Sequence, residues 1–168
     1  MVVGFSNNAM AQNTATVSND AFATIIAPIT IAKGQALNFG AIIKGAGTVI
    51  LSTEGVRTND YSAFAGEAAG NQSGTVTAGT FDVTGENNYT YAITLPGDVI
   101  LTEVIDGTAT MTVNAFNCKT ATDADAGLDG TLNSSGADVI TVGAKLAVSA
   151  TQASGVYSGT FDVTVAYN

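Results

Sequence analysis

A chain of 168 residues with 46% hydrophobic residues is long enough, and apolar enough, to form one domain around a real core, which argues against disorder. Only 11% of residues are charged, and the five Lys and Arg against fourteen Asp and Glu leave a net charge of −9, so no basic patch exists to neutralise nucleic-acid phosphates. Histidine is absent, which removes the commonest general base and transition-metal ligand; no enzyme activity, cofactor or metal is expected.

At the start, Ala9-Met10-Ala11 before Gln12 has the small-x-small form of a signal-peptidase site. Residues 1–11 are therefore read as a truncated signal-peptide remnant, with the mature chain beginning at Gln12 and exported. Residues 12–22 form an N-terminal extension, and 23–168 a single domain. From Phe22 to Ala32 the β-branched run "FATIIAPITIA" reads as a strand, with Pro28 making it an edge, a bulge or two half-strands. Further strands follow over Leu37–Ile43, Val49–Ser52, Thr75–Thr84, Tyr89–Leu95, Val99–Glu103, Ala109–Phe116, Val139–Ser149 and Val156–Tyr167, separated by Gly, Asn, Asp and Ser clusters. Short strands with no helical periodicity between them give an all-β, antiparallel sandwich. No run of about 18 apolar residues is available to span a membrane as a helix.

Two long polar loops, Thr58–Gly74 and Lys119–Ala137, read as surface excursions. The hexapeptide "GTFDVT" occurs at Gly79–Thr84 and again at Gly159–Thr164. In each copy Phe and Val (Phe81 and Val83, Phe161 and Val163) alternate with polar neighbours, the pattern of a strand that leaves a glycine turn and buries one face. The last strand, with Phe161, Val163 and Val165 inward, is expected to be central to the core.

Motifs for chemistry are few. "GAGTVI" (Gly45–Ile50) lacks the third Gly and the Lys-Ser or Lys-Thr of a phosphate loop, and reads as a hairpin turn. "DADAGLDG" could offer Asp123, Asp125 and Asp129 to a cation but departs from the EF-hand pattern, and reads as a solvated turn. Acidic residues are plentiful, but nothing places two together as a hydrolase requires. Cys118 is the sole cysteine, so it forms no intramolecular disulfide; its strand-end setting favours a buried small hydrophobe over an intermolecular bridge or a free thiol. Asn71, Asn88 and Asn133 match a glycosylation acceptor pattern to which no function attaches.

Three stretches, "IAPITIAKGQALNFGAI", "GTFDVTGENNYTYAITLP" and "VGAKLAVSATQASGVYSGTFDVTVAYN", carry a resemblance. The chain from Ala23 to Asn168 resembles the bacterial exported family called domain of unknown function 4402, itself similar to spore-coat-U-type subunits and archaic chaperone–usher pilins. Leu37-Asn38-Phe39-Gly40 and Gly155-Val156-Tyr157-Ser158-Gly159 are its most specific parts. The resemblance implies a pilin-like, Ig-type sandwich completed by the N-terminal strand of a neighbouring subunit. The candidate inserting face is Ala15, Val17, Asn19 and Ala21, with Thr16, Ser18 and Asp20 opposite. The acceptor groove and core would include Leu146, Val148, Phe161, Val163, Val165 and Tyr167. It further implies a non-catalytic subunit of a filament on a bacterial surface, its partner another copy of itself, head to tail, with a periplasmic chaperone and outer-membrane usher as assembly factors. The rival expectation is a monomeric secreted or surface-attached binding module using the two long loops; in that case residues 12–22 are a mobile tail or complete their own sheet.

Overall fold

The computed structural model describes residues 1, 3, 13–43, 45–60, 73–123, 125 and 127–168. The cleavage-site residues Ala9–Gln12 and most of the Thr58–Gly74 loop lie outside them. Thirteen strands and no helix are found among the described residues: β1 (Thr30–Lys33), β2 (Asn38–Ala41), β3 (Gly47–Leu51), β4 (Arg57–Asp60), β5 (Ser73–Thr77), β6 (Gly79–Thr84), β7 (Thr90–Thr94), β8 (Val99–Glu103), β9 (Thr110–Thr120), β10 (Asp129–Thr131), β11 (Ala137–Val148), β12 (Tyr157–Ser158) and β13 (Thr164–Tyr167). Every pairing is antiparallel. The chain is an all-β sandwich.

One layer is the eight-stranded sheet β1-β6-β11-β9-β8-β12, with β3 also along β11 and β4 along β3. The other layer is in two pieces, β2-β5 and β10-β7-β13. The spine is β11, whose even-numbered residues from Asp138 to Val148 are all buried on one face. Ile140 and Val142 join Val83, Tyr91, Ile93, Cys118, Leu132 and Val163 under β7 and β13. Ala144, Leu146 and Val148 join Phe39, Val49, Leu51, Met111 and Val113 under β2. One strand thus serves two cores, because a period of two keeps the same face apolar from Ile140 to Val148.

Beside it, β9 changes phase. Met111 and Val113 are buried, and so are Cys118 and Thr120, an odd set followed by an even one. The register with β11 slips between Gly143 and Lys145, so Ala115 and Phe116 together face the single residue Ala144. Ala115 takes a positive φ of 48° there. The extra residue of a bulge re-aims every side chain after it, and Phe116 turns inward to touch both cores.

The structure departs from the sequence reading at three places. Phe22–Ile29 belongs to no sheet, and of the Phe22–Ala32 run only Thr30–Ala32 pairs, along β6. The polar loops contribute strands of their own, β4 and the short β10. The last strand is broken: Tyr157–Ser158 pairs with β8, Thr164–Tyr167 with β7, and residues 159–163 cross between the layers. The two copies of "GTFDVT" therefore differ. The first is β6, paired with β11 along its length and with β1 over Phe81–Thr84. In the second, Gly159–Val163 belongs to no strand among the described residues. Their equivalent rings meet nonetheless, Phe81 edge-on to Phe161 with centroids 5.9 Å apart.

Candidate functional site

Where the second layer is interrupted, an apolar groove of about 880 Å³ opens. One wall is Leu37–Ile43, carrying β2; the other is Gln152–Gly159 and Phe161; β8, β9 and β11 supply the floor. The groove's inner limit is aromatic, with Phe116 and Phe161 at 5.1 Å between centroids. Phe116 reaches it only because the Ala115 bulge turns it there.

The β2 wall is braced from beneath. Arg57 of β4 is 4% exposed, and its Nη1 donates to the carbonyl oxygens of Phe39 and Ala41, each at 2.7 Å. These bonds fall where the β2–β5 register slips between Phe39 and Ala41, at Gly40 with φ 72°. A residue with a Cβ is strained in that left-handed conformation. A guanidinium holding two carbonyls fixes an irregular strand that the ladder alone leaves under-bonded.

The opposite wall hangs on Tyr157, whose hydroxyl donates to Ala153 O (2.8 Å) and accepts from Gln152 Nε2 (2.8 Å). Gln152 Nε2 also reaches Thr110 O at 3.1 Å. Beyond Ser158 the chain leaves the sheet: Gly159 still lies against the β8 backbone, and residues 159–163 belong to no strand among the described residues.

The N-terminal arm lies elsewhere. Residues 13–28 are all exposed and belong to no strand; Ala15, Val17, Asn19 and Ala21 touch none of the groove, and Val17 is 92% exposed. The arm's root is Ala27, whose N–H donates to Glu86 Oε2 (2.9 Å) while its carbonyl accepts from the Tyr167 hydroxyl (2.9 Å). That root sits beside the start of β11, since Thr30 pairs with Thr84 and Thr84 with Ala137. The groove floor holds Leu146 and Val148, at the far end of the same strand. Twelve residues at about 3.3 Å each put the two ends roughly 40 Å apart.

Of the six residues expected in an acceptor groove and core, Leu146, Val148 and Phe161 line the groove. Val163, Val165 and Tyr167 pack instead with the core under β7. Arg57 escaped the sequence reading although it is the sole arginine; an isolated cation in "EGVRTND" was the available signal. Cys118 is buried, its thiol donating to Gly127 O (2.9 Å), and burial pushes its pKa up. Asp123 and Asp125 form a local turn, Asp125 N donating to Asp123 Oδ1 at 3.0 Å.

No curated protein matches this chain. A family model, described as "Domain of unknown function (DUF4402)", matches residues 29–167, from just past the arm's root to the end of β13. The chain therefore belongs to the DUF4402 family.

Proposed function

We propose that this chain is a non-catalytic structural subunit that assembles head to tail with copies of itself into a filament on a bacterial surface, the arm of one copy lying in the groove of the next. The observation carrying the reading is a pairing deficit next to an apolar groove: among the described residues Gly159–Val163 belongs to no strand, only Gly159 still backing onto β8, while an exposed, alternating segment stands at the other end of the fold. An unpaired strand edge over apolar side chains is a template for a further strand, whose addition supplies ladder bonds and buries both surfaces. Ala15, Val17, Asn19 and Ala21 form the inward face, with Thr16, Ser18 and Asp20 outward. The seven residues Ala15–Ala21 equal in number the seven of the Leu37–Ile43 wall, about 23 Å of extended chain. Because root and groove lie at opposite ends, the contact is heterologous and does not close on itself.

Electron microscopy and light scattering of the full chain, beside a form truncated before Ala23, test this. The full chain forms filaments and the truncated form does not. Val17→Asp abolishes assembly while shifting folding stability by no more than about 0.5 kcal/mol, as befits an exposed position. A full chain that stays monomeric, with the same stability whether or not the arm is present, refutes the reading and favours a monomeric binding module.

A further inference from the structure

The groove is continuous with a second apolar surface. Val156 lines it, is 68% exposed, and accepts a hydrogen bond at its carbonyl from Val104 N (2.8 Å). Val104 begins the hairpin tip between β8 and β9, where Val104 and Ile105 are 57% and 86% exposed. Thr102 pairs with Thr110, beyond the Val99–Val113 pair, and Val113 in turn faces Leu146. The tip thus stands at the end of the sandwich where β11 finishes.

This tip is rigidly built. Glu103 is 5% exposed, and its Oε2 accepts from the backbone N–H of Ile105 (2.9 Å) and Asp106 (2.6 Å). Its own carbonyl accepts from Gly107 N (3.1 Å), and Gly107 closes the turn at φ 67°. Gly155 lies against the carboxylate so closely that a Cβ would collide with it. Burying a carboxylate is costly unless several donors satisfy it; here those donors fix a turn whose two apolar side chains face water.

The arm carries a matching segment. After Ala21 comes "FATII", residues 22–26, the most apolar stretch before the root at Ala27, with Phe22 94% and Ile25 97% exposed. If Ala15–Ala21 fill the groove, residues 22–26 pass its outer end, where Val156, Val104 and Ile105 lie.

We propose that Val104, Ile105 and Val156 form a second docking surface, and that its occupant is the Phe22–Ile26 segment of another copy's arm. This rests on the arm-in-groove reading above. The arm is then held in two parts, a pleated strand in the groove and an apolar clasp outside it.

The test uses labelled synthetic peptides of residues 13–21 and 13–27, titrated by fluorescence anisotropy into the full chain at concentrations where light scattering finds monomer. The longer peptide binds at least tenfold tighter, as burial of a Phe and an Ile side chain requires even when partial. Ile105→Asp removes that advantage and leaves the 13–21 affinity unchanged; Phe22→Ser in the longer peptide does the same, and the two changes together cost no more than either alone. Since Ile105 faces solvent, the variant folds, and Val104→Ser gives an independent measure. Equal affinity of the two peptides for the unmodified chain overturns the clasp, as does an Ile105→Asp protein that keeps the longer peptide's full advantage. If neither peptide binds, the arm-in-groove reading fails and the clasp fails with it.

Discussion

Replacing Tyr91 by Phe deletes one oxygen from the core under β7. Tyr91 is fully buried, and its hydroxyl donates to Asp138 Oδ2 at 2.9 Å. Burial first, and the hydrogen bond to that carboxylate second, push the phenol's pKa far up, so it remains a donor at any neutral pH. Asp138, 4% exposed, also accepts from Thr122 Oγ1 (2.7 Å) at Oδ2, and from Val139 N (2.8 Å) and Thr122 N (3.3 Å) at Oδ1. A hydrogen bond to a charged group contributes about 1.5–3 kcal/mol. Because Thr122 still serves Oδ2 in the variant, the lower part of that range applies, about 1.5–2 kcal/mol. With a urea m-value of about 2 kcal/mol/M, the unfolding midpoint falls by about 0.75–1 M at unchanged m, followed by far-UV circular dichroism. Thr122→Val combined with Tyr91→Phe costs more than the sum of the singles, since the pair leaves Oδ2 without a donor from either side chain. A midpoint shift under about 0.25 M for Tyr91→Phe refutes the argument, because the carboxylate would then not depend on the phenol.

Two further outcomes test the rest of the frame. Lys119 Nζ lies 2.7 Å from Glu54 Oε1 and, with hydrogen bonds from Ser52 and Thr53, holds the Glu54 carboxyl down to about 2 from 4.5; the stability this adds is present above pH 4.5 and is lost as pH falls toward 2. Both side chains are solvated, so the effect is small and salt-screened, and Lys119→Met flattens the thermal midpoint between pH 4.5 and 2 at low salt while changing little at high salt. At the β9 bulge, Ala115→Val lowers stability by about 1–2 kcal/mol in urea titration despite the residue's exposure, because a β-branched side chain is disfavoured at φ 48°; an unchanged midpoint would show that the bulge relaxes freely.

Where burial and periodicity coincide, the sequence was readable. The alternation in "ADVITVGAKLAV" marks β11 within two residues at each end, and both cores hang from it. The β9 bulge was hidden, since Ala115-Phe116 carries no Gly, Pro or Asn to mark it. Phe22–Ile29 reads as strand because β-branched composition reports a preference for sheet, yet a strand also needs a partner, and among the described residues none pairs with it. The hexapeptide makes the same point more sharply: identical letters are a paired strand at Gly79 and an unpaired crossing at Gly159, so the difference resides wholly in what lies alongside. A groove is made by absent pairing, which no local pattern encodes. Its most specific residues, in "LNFG" and "GVYSG", nonetheless proved to be wall residues.

The attachment of the arm has a mechanical side. Tension along the arm arrives at Ala27, where Glu86, in the turn after β6, and Tyr167, at the end of β13, grip the backbone N–H and carbonyl. Behind that grip, β1 runs in line with the pull, and its pairs from Thr30–Thr84 to Lys33–Phe81 lie across it. Force therefore loads those rungs together in shear rather than peeling them one at a time. Past β6 it is shared with β11, the longest strand of the fold, which runs through to the groove at the opposite end. A pull entering at one end of the subunit thus reaches the floor of the groove at the other along the β1–β6–β11 ladders.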